Sequence, residues 1–332
     1  MKRFELIDFL KGYSISATVL FHYSKHLQLS NPFEKVMFFG GTGVHIFIVL
    51  SGFGLYYSEI KRPLTYKRFI KKRISKIYLP YIFVILLSAF ISLFIPAFQN
   101  SLYALGGHVF LYKMFDESII GSYGYPTWFI SMMLQFYFAF HIIIWFKSKL
   151  RNKPFLVLSI LISLSWTIFV VLMHKETERI WNSFFLQYLW EFSLGMAIAD
   201  KASKDEKIIT KGVKQSLLLT IGIASAVLCG VLTLKAGEPG KMFNDFFALT
   251  ATAFFAVFVF NLKIKPLNKI LLFVGKLSTP IYLLHILVIL VITNLCSNLD
   301  PIYRVLLAVI SIVPIAIVYQ KMIKAYFKFS KL

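Results

Sequence analysis

Charge is what this chain is short of. Asp, Glu, Lys and Arg make up only 15% of its 332 residues, against roughly a quarter in an ordinary soluble protein. So few charges cannot cover a water-facing globule, so a soluble domain is excluded and lipid is the indicated solvent. Acidic residues are scarcest, 15 against 36 Lys and Arg. Cysteine is nearly missing. Cys229 and Cys296 lie in apolar runs, match no metal or redox spacing, and lead to no expectation of a metal. A cleavable signal peptide is absent by pattern: Glu5, Asp8 and Lys11 interrupt the charge order, and no small-residue cleavage site follows the first apolar run. That run is expected to remain in the mature protein. No inverted repeat of the transporter kind is visible.

What the chain has is apolar length, with 58% hydrophobic and 17% aromatic residues. Runs able to cross about 30 Å of hydrocarbon fall near residues 7–26, 36–57, 77–97, 127–146, 154–173, 183–200, 215–235, 243–262, 277–296 and 302–320. The expected fold is all-α, a polytopic membrane bundle of about ten transmembrane helices. It forms one domain over residues 1–332 with no appended soluble domain.

The net charge of +21 would suggest nucleic acid in a soluble protein. In a membrane protein it marks cytoplasmic loops and contact with anionic lipid headgroups. Of the 36 basic residues, 27 fall in one set of alternate connections and the chain ends, including Lys2, Arg3, eight between Lys61 and Lys76, Lys207, Lys211 and Lys331. Eight fall in the other set: Lys25, Lys35, Lys113, Lys175, Arg179, Lys235, Lys241 and Arg304. Lys11 lies inside the first span. The asymmetry places both termini in the cytoplasm and leaves membrane lipids, not nucleic acid, as partners. Residues 98–126 then form the longest outer connection, a cavity cap or a plain loop.

The first run contains KGYSISATVLFH at residues 11–22. Lys11 and His22 are eleven positions apart, about three helical turns, so they share a helix face roughly 16 Å apart along the axis. Asp8, Ser14, Thr18 and Lys25 extend the same stripe. Such a stripe must face the bundle interior or a water-filled cavity. The plainer alternative is a snorkelling Lys11 and an interfacial His22.

These residues resemble the membrane-bound acyltransferase 3 family, whose first helix carries an R/K-x10-H motif matched by Lys11 and His22. The resemblance covers essentially the whole chain. GVHIFIVLSGF at 43–53 is similar to a second family phrase ending in Ser51, Gly52 and Phe53, with His45 where many members have Asp. The small pair also suits close helix packing, the preferred role for Gly52. YKRFIKKRISKIYLPY at 66–81 resembles the family's R-x-x-R stretch before a proline, here Arg73, Lys76 and Pro80. Fixed cations there suit the phosphates of CoA, though Lys76 loses the bidentate geometry of Arg, and ordinary positive-inside charge explains the neighbouring lysines. PTWFISMMLQFYF at 126–138 contains Trp128, with Gln135 where many members have Glu. WEFSLGMAIA at 190–199 puts Glu191 in mid-membrane, where it could orient a histidine or neutralise Lys11. LSTPIYLLH at 277–285 contributes Tyr282 and His285.

The resemblance implies a multi-pass enzyme of the cell (inner or plasma) membrane that moves an acyl group, acetyl first among them, from acetyl-CoA or another acyl-CoA to a hydroxyl of a surface polysaccharide or lipid-linked carbohydrate. His22 is then the catalytic histidine and Lys11 its basic partner, Arg73 and Lys76 bind the CoA phosphates, and Ser51, Trp128, Glu191, Tyr282 and His285 contact substrate or support the site. Imidazole fits the task because its ordinary pKa lies near neutrality. A lone buried histidine is more often structural than catalytic, and this weighs on His285. His26, His108, His141 and His174 receive no function. Two other classes remain: a flippase for a lipid-linked glycan, which has no use for a thioester, and a non-catalytic partner in glycan export, which would tolerate loss of His22.

Overall fold

Inside hydrocarbon no water is available to backbone amides and carbonyls, so so apolar a chain satisfies them within helices. The computed structural model describes residues 4–27, 39–95, 101–205 and 213–329, and among these it contains helices and short 3-10 turns but no strand. The helices are α1 Glu5–Ser24, α2 Gly43–Lys61, α3 Tyr66–Ile91, α4 Leu102–Val109, α5 Trp128–Lys149, α6 Asn152–Leu172 and α7 Arg179–Asn182. They continue with α8 Leu189–Lys204, α9 Gln215–Phe243, α10 Asp245–Asn261, α11 Lys265–Lys276, α12 Ser278–Leu295 and α13 Pro301–Phe329.

Among the described residues, seven segments are long and apolar enough to cross a membrane: Phe39–Lys61, Tyr66–Ile91, Tyr125–Lys149, Asn152–Leu172, Gln215–Phe243, Ser278–Leu295 and Pro301–Phe329. This is fewer than the ten expected from hydropathy. The other three runs are helical, but α1 carries Glu5, Asp8 and Lys11, α8 has 16 residues, and α10 has 17. The last two fall short of the roughly 20 residues a straight crossing needs. Phe90, Leu161, Val227 and Ile310 stay 59, 56, 58 and 70% exposed, surfaces that only lipid would cover favourably. Lys2, Arg3, Lys35, Lys207, Lys211 and Lys331, which entered the orientation argument, lie outside the described residues, as do the chain ends.

The chain forms two compact units. The first comprises Met1–Phe21, Lys35–Pro63 and His141–Lys276. Within it α2 and α8 cross with main chains nearly touching: a Cβ at Gly52 would lie 2.0 Å from the Phe192 carbonyl oxygen, and one at Gly195 would lie 2.0 Å from that of Val49. Gly52, read as a packing residue, therefore is one, and no side chain larger than hydrogen fits at either glycine. On both sides of the crossing the apolar residues cluster. Ile46 and Leu50 pack with Leu249 and Ala256 of α10, and Phe53 and Tyr57 pack with Ala199 and Ala202. Helix α6 is tied to α8 and to the turn before it by polar contacts at helical spacing, Ser159 Oγ donating to Ser193 Oγ at 2.8 Å and Ser163 Oγ to the Leu186 carbonyl at 2.8 Å. Residues Glu5–Phe21 of α1 lie against α11, an amphipathic helix where the sequence promised only a basic connection; Gly12 faces the Leu271 carbonyl and Gly275 the Asp8 carbonyl.

The second unit comprises His22–Glu34, Leu64–Phe140 and Leu277–Leu332. Here α12 packs on α13 and on α3. Pro80 interrupts the hydrogen-bond ladder of α3, and the Tyr319 hydroxyl donates to its carbonyl at 2.6 Å. The described part of the outer connection is not a plain loop. It holds α4, capped by Ser101 Oγ accepting from the Ala104 amide at 3.1 Å, and three short 3-10 turns.

Candidate active site

Helix α1 is unbroken from Glu5 to Ser24, so Lys11 and His22 do share a face. Between them Ser14 and Thr18 are buried, with Thr18 Oγ1 donating to the Ser14 carbonyl at 2.9 Å. Asp8 is buried too, Lys11 and His22 are half-buried, and Lys25 is exposed.

In the second unit the last turn of α1 meets α12. The imidazole of His22 packs against that of His285, ring centroids 5.2 Å apart and planes inclined by 43°. His285 is fully buried, and its Nδ1 lies 2.7 Å from the Tyr282 carbonyl. A carbonyl can only accept, so Nδ1 carries the proton, and in the neutral ring Nε2 is a bare lone pair. Among the described residues no hydrogen-bond donor reaches that nitrogen, although it is buried. The Tyr23 hydroxyl donates to the His285 carbonyl at 3.0 Å and fixes the two helices at this level. The Tyr282 ring packs edge-on to Phe129 at 5.4 Å, and its hydroxyl donates to the Pro126 carbonyl. Beside them is a cavity of about 20 Å³ lined by Tyr81, Thr127, Tyr282 and His285 among others. It has room for one water-sized group.

The outer connection closes over this cavity with a saturated network. Tyr81 donates to His108 Nδ1, His108 Nε2 donates to Ser122 Oγ at 2.8 Å, and Ser122 Oγ donates to the Ile119 carbonyl at 2.5 Å. Burial, with Lys113 nearby, drives the His108 pKa down to about 2, so the ring is neutral. Lys113, 1% exposed, donates to Thr127 Oγ1 and reaches the Ser122 carbonyl at 3.5 Å. Desolvation alone pushes its pKa down to about 7.

Other residues singled out from sequence lie elsewhere. Arg73 is half-buried, its guanidinium 5.5 Å above the Phe69 ring, which itself stacks on Phe140 at 4.7 Å; Lys76, one turn on, is exposed. Trp128 is half-buried and edge-on to Phe129 at 6.1 Å. Ser51 is half-buried beside the glycine crossing in the first unit. Glu191, also in the first unit and fully buried, sets Oε1 2.7 Å from His45 Nδ1. On the far side of that ring, His45 Nε2 lies 3.9 Å from Asp245 Oδ1, and Asp245 Oδ2 accepts from Gln187 Nε2 at 2.7 Å. Two acids, from α8 and α10, thus converge on one buried base.

Sequence reasoning missed Tyr23, Asp245, Gln187 and His108. Asp245 and Gln187 had a usable signal, being polar residues within or at the end of apolar runs. For Tyr23 and His108 the partners are 262 and 27 residues away, and nothing local announces them.

Apolar helices of crossing length with imidazoles packed among them define a multi-pass membrane protein. The acyltransferase domain model of the acyltransferase 3 family matches residues 4–321, and the chain belongs to that family. It is an acyltransferase. No curated protein and no solved structure matches it.

Proposed function

We propose that this acyltransferase is an O-acyltransferase of the cell (inner or plasma) membrane that moves an acyl group, acetyl first among the candidates, from cytoplasmic acyl-CoA to a hydroxyl of a surface polysaccharide or lipid-linked carbohydrate. All ten apolar runs cross or enter the bilayer, and both termini are cytoplasmic. The observation that carries the reading is the half-buried imidazole of His22, packed against a second imidazole in a member of an acyltransferase family.

His22 takes the proton of the acceptor hydroxyl as its oxygen attacks the thioester carbonyl. The tetrahedral oxyanion collapses, the C–S bond breaks, and the departing thiolate recovers the proton from His22 as CoA-SH. A positioned base is worth about 10²- to 10⁴-fold, and holding thioester and hydroxyl together contributes more. Arg73 and Lys76 hold the CoA phosphates. Arg73 is the more specific of the two, because its guanidinium is planar and already stacked on Phe69. Lys11 supplies positive charge along the path of the pantetheine arm. Tyr282 and, through the Phe129 ring, Trp128 support the walls.

Mass spectrometry of surface glycans from cells with and without the gene tests this reading. Loss of an acyl mass increment from a carbohydrate in the deleted cells is expected; identical glycan profiles would reject the carbohydrate acceptor.

A further inference from the structure

A buried acceptor that no protein donor reaches costs about 1 to 3 kcal/mol unless a water or a ligand group meets it. In native proteins such a group calls for an explanation. His285 Nε2 is one. The other face of the ring is fixed: Nδ1–H is committed to the Tyr282 carbonyl at 2.7 Å, and the backbone at His285 is held by the Tyr23 hydroxyl at 3.0 Å. The ring can neither flip nor change tautomer without breaking the Nδ1 bond. The lone pair is therefore presented in a fixed direction, and the His22 ring is a neighbour at 5.2 Å between centroids. At that separation two facing ring nitrogens come within hydrogen-bond reach.

We propose that His285 is the positioning residue of the His22 base. Its Nε2 accepts the N–H of one His22 nitrogen when the acyl donor and acceptor are bound, which leaves the other His22 nitrogen as the bare lone pair that meets the hydroxyl. This is the logic by which a general base is oriented by a third group, with a neutral imidazole standing where hydrolases place a carboxylate. An imidazole suits this site. A carboxylate at position 285 would be an uncompensated charge in a fully buried position, whereas a neutral ring gives one directed acceptor at smaller desolvation cost. The proton account is unchanged: the hydroxyl proton goes to His22 and then to the thiolate, and His285 Nε2 holds the N–H of the transient imidazolium throughout. Tyr23 and Tyr282 act one step further out, by fixing the His285 backbone and its tautomer.

The inference rests on His22 being the base of the proposed acyl transfer. The experiment uses the full chain in membrane vesicles from the producing cell, which carry its own glycans, with radiolabelled acetyl-CoA as probe. His285→Leu removes the acceptor, and His285→Gln restores one at the end of a side chain of similar reach. Each variant is first checked for wild-type expression and a cooperative melt. The expected result is a loss of about 10- to 100-fold in maximal rate for His285→Leu with KM for acetyl-CoA within about twofold, and recovery to within several-fold of wild type for His285→Gln. A His285→Leu variant with the wild-type rate would overturn the proposal. So would a change confined to KM, or equal impairment of the two variants, which would mark His285 as packing alone. Should His285→Leu not fold, His285→Met gives the same comparison with a more adaptable side chain. No label transfer by the wild-type protein would reject the functional reading beneath it, a different outcome from wild-type activity with an indifferent His285.

Discussion

Two buried histidines, one in each unit, show how differently the same side chain can be held. In the first unit His45 has a carboxylate oxygen beside each ring nitrogen, Glu191 Oε1 at 2.7 Å and Asp245 Oδ1 at 3.9 Å. In the second, His285 has a carbonyl on one nitrogen and no donor on the other. A ring flanked by acids has one nitrogen hydrogen-bonded to Glu191 and the other turned to a second carboxylate, and serves to hold α2, α8 and α10 in register. With one lone pair left open, a ring is available for chemistry. Burial alone distinguishes neither, since both are nearly inaccessible; the partners do.

This comparison can be broken from either side, and the largest effect is expected where the first cluster is built. The 2.7 Å His45–Glu191 contact depends on α2 and α8 meeting at Gly52 and Gly195, so Gly52→Leu, which drives a side chain into the Phe192 carbonyl, should prevent accumulation of folded protein. Expression and size-exclusion profiles check this; a normal monodisperse product would mean that the crossing is adjustable. Next in size is Glu191→Ala, which strands His45 and should lower stability by about 3 to 5 kcal/mol, read as a fall in melting temperature in detergent. The rate per folded molecule should stay within a few-fold of wild type. If instead activity vanished at unchanged stability, the two histidines would have to exchange roles.

The smallest expected effect concerns Lys113, which is buried like His285 without a carboxylate among the partners described above. Its native pKa is pushed down to about 7, while the unfolded chain keeps an ordinary lysine near 10.4. Between those values the unfolded state binds more protons, so stability should rise with pH across that window; below about 7 the full cost of a buried ammonium is present. Lys113→Met should flatten the slope and raise the melting temperature at pH 7 by about a few degrees. A wild-type melting temperature that falls between pH 7 and 9, or a Met variant with the same slope, would show that Lys113 is charged and compensated in the folded protein.

Much of this was legible in the sequence, because membrane proteins write their helices as apolar runs. Every expected run contains a helix, and the Lys11–His22 stripe is on one face of α1 with its middle buried, as eleven-residue spacing requires. Hydropathy marks ten runs where seven described segments are long and apolar enough to cross, because it does not register where a run breaks: residues 183–200 divide into turns and a 16-residue α8, and Asn244 separates α9 from a 17-residue α10. The amphipathic α11 was invisible to the same measure, since its lysines dilute its apolar face. For the site, composition placed Glu191 in the membrane but could not name His45 as its partner, 146 positions away. The tautomer of His285 was likewise beyond the sequence, because it is set by a main-chain carbonyl rather than by any residue type.

The central claim is that the imidazole at position 22 performs the acyl transfer. The most direct test is acetyl-group transfer from labelled acetyl-CoA to membrane glycans by the His22→Ala protein, with insertion and melting temperature matched to wild type. The account predicts a loss of about 10²- to 10⁴-fold, whereas transfer within tenfold of wild type would contradict it.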